Sequence, residues 1–164
     1  TTDFDLWPET SKMILVLLMF IGACAGSTGG GFKISRLLIL CKAIPKQLSL
    51  VIHPREVKVI RMDGKPIDHN TLRSTNVYLA IYFFILLVST LLISVDNFNL
   101  TTNFTAVAST LNNIGPGLDG VGPTRNFGMY SDFSKFVLMF DMLAGRLELY
   151  PLLILFMPSL WRRK

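Results

Sequence analysis

Apolar stretches alternate with polar ones along the chain, and their lengths indicate helices that cross a membrane. Residues 77–95 are nineteen consecutive residues without a charge, which is enough helix to span the hydrocarbon core of a bilayer. Residues 13–25 and 133–160 are also long and mostly apolar, whereas residues 42–73 and 119–132 are polar. This pattern predicts an all-α membrane protein and argues against a soluble domain, whose charges would be spread over its whole surface.

A run of small residues interrupts the first apolar stretch. One helix from residue 13 to residue 44 would be about 48 Å long at about 1.5 Å per residue, whereas the hydrocarbon core is about 30 Å thick. Each glycine in a helix interior costs on the order of 1 kcal/mol. We therefore predict a glycine-broken transmembrane helix, with a hinge or irregular loop formed by Gly26, Ser27, Thr28, Gly29, Gly30 and Gly31.

A second unusual segment lies between the last two apolar stretches. Residues 103–118 are uncharged, but they are too few and too polar to cross a bilayer unaided. Gly115 permits backbone conformations that other residues resist, and Pro116 ends helical structure. Backbone without helical hydrogen bonds is tolerated at membrane depth only when it is buried in protein or lines a watery cavity. Residues 112–117 are thus predicted to form one wall of an ion selectivity filter, where carbonyls replace an ion's hydration shell.

The positive charges define a topology. Nine Lys or Arg and three acidic residues lie within residues 33–73, and residues 162–164 are all basic. Basic loops face the cytoplasm, so an even number of crossings must separate the two regions, and the last two apolar stretches supply two. Residues 103–118 must then enter and leave on the outer side as a re-entrant pore loop. Within this loop, Asn103 is expected to cap a short helix over residues 104–110.

These elements divide the chain into three parts. Residues 1–44 comprise an outer segment and the broken second helix of a preceding repeat, and residues 45–73 form a cytoplasmic connection. Residues 74–164 form a complete helix–pore-loop–helix repeat. Within the connection, residues 57–66 resemble a strand followed by a hairpin turn.

Charge and cysteine content narrow the function classes. The net charge is +5, and nucleic-acid binding must be considered for a basic chain. The basic residues flank apolar stretches, however, which favours a membrane and no nucleic-acid partner. Cys24 and Cys41 match no metal or redox spacing and are expected to be small buried hydrophobic residues. Since no nucleophile–base pair or metal cluster is evident, an embedded enzyme is the weakest hypothesis.

Four ionisable residues interrupt the last apolar stretch, namely Lys135, Asp141, Arg146 and Glu148. At about 100° per residue, Asp141 and Glu148 share one helix face, whereas Lys135 and Arg146 share another. Arg146 lies near the middle of the stretch and comes directly after Gly145, which would let a neighbouring backbone approach closely. Membrane-embedded charges usually face a cavity or a partner. Arg146 is therefore a candidate to limit cation flux, and pairing with an acid for packing is the alternative.

Three segments, residues 22–33, 112–117 and 145–148, together resemble a known family. They are similar to the broken inner helix of the third repeat, the fourth filter loop and the arginine-bearing segment of bacterial potassium uptake proteins. The chain is accordingly identified as a member of the Trk/Ktr/HKT superfamily, most closely its TrkH-like branch, and corresponds to the C-terminal part.

This resemblance implies a specific architecture and ion. The family has four helix–pore-loop–helix repeats around one pore, and this chain would supply the end of the third repeat and all of the fourth. Its filter carbonyls bind K⁺, the transported ion, which maps onto Asn113, Ile114 and Gly115 with Asn112 adjacent. The gate maps onto the glycine-rich loop and Arg146.

The resemblance also implies partners and a location. They are the remainder of the chain's own four repeats, a second copy in a homodimer, a cytosolic nucleotide-binding regulatory ring and the lipid bilayer. The location is the inner membrane of a bacterial cell, crossed several times, and no organic cofactor is expected. Against this transport hypothesis stands a non-transporting membrane scaffold or assembly subunit, in which the re-entrant loop is only structural.

Overall fold

Five α-helices and a short β-hairpin make up the described part of the chain. The computed structural model describes residues 2–24, 26–27, 30–53, 59–62 and 64–147. The helices are α1 (Glu9–Ile21), α2 (Ile34–Ile52), α3 (His69–Ile93), α4 (Leu100–Leu111) and α5 (Asp132–Leu147). Short 3₁₀ helices cover Phe4–Leu6, Ser94–Asp96, Asp119–Val121 and Phe127–Met129. The predictions for Thr28, Gly29, Glu148 and the rest of the last apolar stretch lie outside these residues.

The connection between α2 and α3 contains the predicted hairpin. Strand β1 (Arg61–Met62) pairs antiparallel with strand β2 (Lys65–Pro66). The Nζ of Lys42 on α2 donates a hydrogen bond to the carbonyl of Arg61 at 3.0 Å. This bond links the hairpin to α2. The predicted strand and hairpin turn are confirmed for residues 61–66.

Helix α3 is long and apolar enough to cross a membrane. Together with the adjoining 3₁₀ turn, it extends from His69 to Asp96, and it is the one helix among the described residues that meets these criteria of length and composition. It begins earlier than the uncharged stretch at residues 77–95. Its 25 residues correspond to about 38 Å, which exceeds the roughly 30 Å of a hydrocarbon core.

The first apolar stretch is not one continuous helix. Helix α1 ends at Ile21, α2 begins at Ile34, and the described residues between them are not helical. Helix α2 then continues to Ile52, beyond the predicted limit at residue 44, with Pro45 in its interior. A proline removes one backbone donor, but the Lys, Gln and Leu residues after it are good helix formers and sustain the helix.

Helix α4 begins one turn earlier than predicted. Asn99 is its N-cap, and the side-chain Oδ1 accepts a hydrogen bond from the backbone N–H of Thr102 at 2.8 Å. The prediction that Asn103 is the cap was wrong, because the earlier start lets Asn103 be buried and bonded inside the helix. Its Oδ1 accepts from the hydroxyl of Tyr130 at 2.9 Å, and burial raises the pKa of Tyr130 to about 12, so this hydroxyl keeps its proton.

Protein surrounds α4 on several sides. It contacts α1, α3 and α5, and nine of its twelve residues are buried. Two of its buried hydroxyl groups are satisfied within the helix, since Thr110 Oγ1 donates to the carbonyl of Ala106 at 2.9 Å and Ser109 Oγ donates to the same carbonyl at 3.0 Å. The fold thus encloses a short polar helix and buries Asn112 at its C-terminal end, whereas residues 114–116 just beyond are exposed.

Both cysteines lie at the surface of the described structure. Cys24 lies after the end of α1 and Cys41 lies on α2, and both are free and exposed. The prediction that they are buried was wrong. In a membrane protein, apolar neighbours in the sequence can face lipid, so an apolar context does not imply burial within the protein.

Candidate functional site

A defined helix terminus leads into the filter candidate. Asn112 caps the C-terminal end of α4, and Asn113 adopts a left-handed conformation with φ of 54°. The N–H of Asn113 donates to the carbonyl of Thr110 at 3.0 Å, and the N–H of Ile114 donates to the carbonyl of Ser109 at 2.9 Å. This pair of bonds is a Schellman motif. It ends the helix and sets the direction in which the chain leaves it.

The carbonyls just beyond the helix are uncommitted. Among the described residues, none donates a hydrogen bond to the backbone carbonyls of Asn113, Ile114 or Gly115. Ile114 is 45 % exposed, and Gly115 and Pro116 are exposed as well. Gly115 has φ of +119°, and an added Cβ would meet nothing within 4 Å. A side chain at Gly115 would therefore be opposed by the backbone conformation and not by a collision.

After the filter candidate, the chain runs back along α4 towards its N-terminal end. The N–H of Leu118 donates to Thr105 Oγ1 at 3.0 Å, and the N–H of Gly120 donates to Thr102 Oγ1 at 3.2 Å. Further on, the side chain of Asn99 donates to the carboxylate of Asp119. The chain thus returns to the level at which α4 began.

The side chains of both filter asparagines bind protein. Asn112 is 4 % exposed, its Oδ1 accepts from the hydroxyl of Tyr82 at 2.8 Å, and its Nδ2 donates to the carbonyl of Ala108 at 2.7 Å. The Nδ2 of Asn113 donates to the carbonyl of Met142 on α5 at 3.1 Å. Both amides therefore help to hold the backbone in place.

Three glycines allow other elements to touch the base of the filter candidate. A Cβ on Gly30 would lie 2.6 Å from the carbonyl oxygen of Asn112, and a Cβ on Gly31 would lie 2.9 Å from its Oδ1. On α5, a Cβ on Gly145 would collide with the carbonyl oxygen of Leu111. The glycine-rich loop and α5 therefore converge on the same short segment, as the prediction of a close approach at Gly145 anticipated.

The remaining gate candidates have no such close approach to the base of the filter candidate among the contacts described. Gly26 and Ser27 are exposed in the segment after α1, and Gly26 has φ of +80°. Arg146 is exposed on the last described turn of α5, immediately after Gly145. The structure thus puts Arg146 next to a residue that touches α4, and its role in a gate stays a prediction.

The other ionisable residues of α5 have separate roles. Asp141 is fully buried, and its Oδ1 accepts a hydrogen bond from Ser89 Oγ on α3 at 2.7 Å. Lys135 lies 3.5 Å from Asp132, one turn earlier on the exposed surface. Asp141 therefore links two helices, whereas Lys135 forms a surface pair of little energetic weight.

Negative charge lies near the start of α4. Asp5 accepts a hydrogen bond from the N–H of Asp119 at 3.1 Å. Hydrogen bonds from the side chains of Asn99 and Thr102 lower the pKa of Asp119 and keep it ionised at neutral pH. Arg125 lies 3.9 Å from its Oδ1 and offsets part of this charge.

The arrangement suits a desolvated monovalent cation. The C-terminal end of a helix carries partial negative charge and favours a cation, and the uncommitted carbonyls come directly after the C-terminal end of α4. Within the ranges that the structure describes, no group of three or more His, Cys, Asp or Glu side chains could hold a metal ion. The oxygen ligands that the site offers include the main-chain carbonyls of Asn113, Ile114 and Gly115.

The sequence predicts a filter candidate at residues 112–117 but does not reveal the contacts that hold this segment. Tyr82 was counted only as part of an apolar helix, although a buried tyrosine hydroxyl needs a hydrogen-bond partner and signals one. The carbonyl of Met142 could not be found from sequence, because every residue has a carbonyl. Gly30 and Gly31 were assigned to a hinge, whereas the structure adds close packing against Asn112.

Comparison with known proteins identifies relatives along the whole chain. A family model described as "TrkH: Cation transport protein" matches residues 1–163. The Trk system potassium uptake protein TrkH of Vibrio parahaemolyticus is 39% identical over 162 residues, which cover 99% of this chain and 33% of that protein. TrkH of Escherichia coli K12 is 37% identical over 163 residues, with the same coverage of both chains.

A solved structure supports the same assignment. The crystal structure of the potassium transporter TrkH from Vibrio parahaemolyticus matches with a TM-score of 0.87 and 38% sequence identity. The match covers 98% of this chain and 34% of that one, so the chain spans about a third of the length of these relatives. The resemblance found in the sequence is confirmed, and the chain belongs to the TrkH family of cation transport proteins.

Proposed function

We propose that this chain forms part of a potassium uptake protein and contributes one wall of its selectivity filter. The observation that carries the proposal is the set of uncommitted carbonyls of Asn113, Ile114 and Gly115 at the C-terminal end of the enclosed helix α4. The relatives are potassium uptake proteins by name, which supports K⁺ as the ion. K⁺ is the transported substrate, and no catalytic chemistry is involved.

The ion is held by main-chain oxygens in this proposal. The carbonyls of Asn113 and Ile114 replace water around K⁺, and Asn112 and Gly115 complete this wall of the filter. The partial negative charge at the end of α4 stabilises the cation, and the ionised Asp119 contributes to a negative potential on the approach.

The membrane arrangement is argued from helix lengths and charge. Helix α1 has 13 residues and is about 20 Å long, too short to cross by itself. We infer that α1 and α2 are the two halves of one glycine-broken transmembrane helix, and that α4 with its return segment is a re-entrant pore loop. The basic connection over residues 45–73 lies in the cytoplasm. The protein then crosses the inner membrane of a bacterial cell several times.

The rest of the pore comes from other parts of the molecule. Since the chain covers about a third of its relatives, the other filter walls belong to the remaining repeats of the complete chain. A homodimer and a cytosolic nucleotide-binding regulatory ring are the assembly that the family resemblance implies. Lipid covers the exposed apolar faces of α3 and α5, which include Phe84, Leu91 and Phe136.

The glycine-rich loop and Arg146 form the gate in this proposal. Gly26, Ser27, Thr28, Gly29, Gly30 and Gly31 make up the loop. Its described end packs against Asn112, and Gly145 packs against Leu111 beside it. A movement of the loop would therefore act directly on the base of the filter, and the fixed charge of Arg146 would oppose a passing cation.

The Gly115→Ser variant tests the proposed filter. A serine fits the open space around Gly115, but φ of +119° disfavours any side chain. We expect the carbonyls to turn and the K⁺/Na⁺ permeability ratio of the complete protein to fall. Reversal potentials measured in opposing K⁺ and Na⁺ gradients provide the test, with Gly64→Ser as a control at another glycine of positive φ, in the hairpin turn. An unchanged ratio in Gly115→Ser would rule out the filter assignment.

The competing function is a membrane scaffold whose re-entrant loop is only structural. In that case the complete protein carries no K⁺ flux above that of empty liposomes, and Gly115→Ser changes only its folded yield. Flux measured per reconstituted molecule separates the two functions.

Cysteine labelling tests the topology. Asn126→Cys and Gln47→Cys are introduced singly into a background that lacks Cys24 and Cys41, and both positions are exposed. The account predicts that an impermeant thiol reagent labels Asn126→Cys from the outside and Gln47→Cys only from the cytoplasmic side. Labelling of both from one side would refute the re-entrant loop.

A further inference from the structure

Tyr82 occupies a central position between the filter segment and the glycine-rich loop. It lies on α3, and its side chain is only 2 % exposed. Its hydroxyl donates to Oδ1 of Asn112 at 2.8 Å. Its ring contacts Phe20 edge-on at a centroid distance of 6.4 Å and Phe32 at 6.2 Å. Phe20 lies on α1 before the glycine-rich loop and Phe32 directly follows the loop, so one side chain contacts Asn112 and a residue on either side of the loop.

We propose that Tyr82 is a specificity-determining positioning residue, which sets the K⁺ preference of the filter by fixing Asn112 without touching the ion. This inference rests on the proposed function of residues 112–115 as a filter wall. The hydroxyl holds the Asn112 amide in one orientation, and the amide in turn sets the backbone at the point where α4 ends.

The position of Asn112 explains why one hydrogen bond has this effect. Its Nδ2 bonds to Ala108 one turn earlier, its main-chain carbonyl faces Gly30, and its Oδ1 lies close to Gly31. The residue is therefore held from three directions, and Tyr82 supplies the hydrogen bond to its buried Oδ1. Without that donor, the amide can rotate. The orientation of the peptide that leads into the carbonyls of Asn113 and Ile114 is then less firmly fixed.

The surroundings of Tyr82 indicate which substitution tests its hydrogen bond. Phenylalanine keeps the ring between Phe20 and Phe32 and removes only the hydroxyl. A matched control exists at the other end of α4, since Tyr130 donates to Asn103 at 2.9 Å, and both tyrosine–asparagine bonds are buried. Tyr130→Phe therefore removes an equivalent bond near the N-terminal end of α4, remote from the filter.

The experiment compares Tyr82→Phe, Tyr130→Phe and Gly115→Ser in the complete protein reconstituted in liposomes. Bi-ionic reversal potentials with K⁺ and Na⁺ give the permeability ratio, and thermal unfolding gives stability. For Tyr82→Phe we expect the K⁺/Na⁺ ratio to fall by up to about fivefold, which is the limit if the whole free energy of one ordinary hydrogen bond is lost from ion discrimination. For Tyr130→Phe we expect a similar loss of stability and an unchanged ratio.

The outcomes separate this inference from the proposed function. A lowered ratio in Gly115→Ser with a wild-type ratio in Tyr82→Phe would overturn the role of Tyr82 and leave the filter in place. A wild-type ratio in both would overturn the filter and this inference together. An equal fall in Tyr82→Phe and Tyr130→Phe would also overturn it, because selectivity would then depend on general stability.

A second variant removes the same bond from the other side. Asn112→Ala keeps the main-chain carbonyl and deletes the acceptor, so it tests the bond even if Tyr82→Phe folds poorly. We expect the double variant to lower the permeability ratio no further than Asn112→Ala does alone. Additive effects would show that the two side chains act independently and would contradict the proposal.

Discussion

Replacement of Gly145 by alanine should prevent the complete protein from forming a stable folded species. A Cβ on Gly145 would collide with the carbonyl oxygen of Leu111 and would lie 2.7 Å from Nδ2 of Asn113. The carbonyl belongs to the backbone of α4, so it can move only if the helix terminus and the filter segment move with it. Overpacking typically costs about 1–3 kcal/mol and occasionally more, and a collision with backbone that cannot rotate away belongs at the upper end of that range, a large part of the stability of most domains.

Yield after size-exclusion chromatography and the midpoint of thermal unfolding in detergent measure this effect. The matched control is Leu143→Ala, two residues earlier on the exposed face of α5, which should leave both quantities close to wild type. Wild-type stability in Gly145→Ala would mean that α5 does not pack against the end of α4 as the structure has it.

Replacement of Arg146 by alanine should raise K⁺ flux. An arginine keeps its positive charge under all ordinary conditions. At a distance of about 10 Å and an effective dielectric constant of about 20, it opposes a passing cation by about 1–2 kcal/mol. Removal of this barrier would increase flux by on the order of tenfold. The measurement is flux in liposomes, normalised to the amount of reconstituted protein, with Lys135→Ala as a control on the same helix.

The gate hypothesis also predicts how the effect of Arg146→Ala on flux combines with a change in the glycine-rich loop. Shortening the loop between Ser27 and Gly31 should also raise flux, and combining it with Arg146→Ala should give less than the sum of the two effects, because both changes open one barrier. If Arg146 only pairs with an acid for packing, Arg146→Ala should instead lower folded yield without raising flux per molecule. Fully additive effects, or a loss of flux in the single variant, would count against the gate.

The sequence predicted local structure best where the need to satisfy backbone polar groups leaves few alternatives. An uncharged stretch of nineteen residues has few stable alternatives to a membrane helix, and α3 contains most of it. The polar segment with Gly115 and Pro116 likewise had to leave carbonyls without helical partners, and the structure shows such carbonyls at Asn113 to Gly115. In both cases the requirement to satisfy backbone polar groups limits the choices.

Local capping was harder to predict. Asn99 and Asn103 share the residue type that caps helix N-termini well, and the prediction assigned the cap to Asn103. The earlier start prevails because Asn103 then finds a buried partner in Tyr130, which lies on a distant part of the chain. The continuation of α2 past Pro45 is a similar case, in which neighbouring helix formers outweighed a lost donor.

Contacts between distant residues were beyond the reach of the sequence. Nothing in the pattern around Tyr82 indicates that its hydroxyl meets Asn112, thirty residues later. The same holds for Gly30 and Gly145, which both approach the backbone at one helix terminus. These contacts depend on how whole helices pack, and they decide how firmly the carbonyls of the proposed filter are held.

The most direct test of the central claim is to locate the ion itself. Crystals of the complete protein grown with Rb⁺ or Tl⁺ in place of K⁺ would give anomalous scattering at the bound ion. The account predicts an anomalous peak within bonding distance of the main-chain carbonyls of Asn113 and Ile114, and no peak there in crystals of Gly115→Ser. An occupied ion site elsewhere in the pore, with these carbonyls facing protein or water alone, would contradict it.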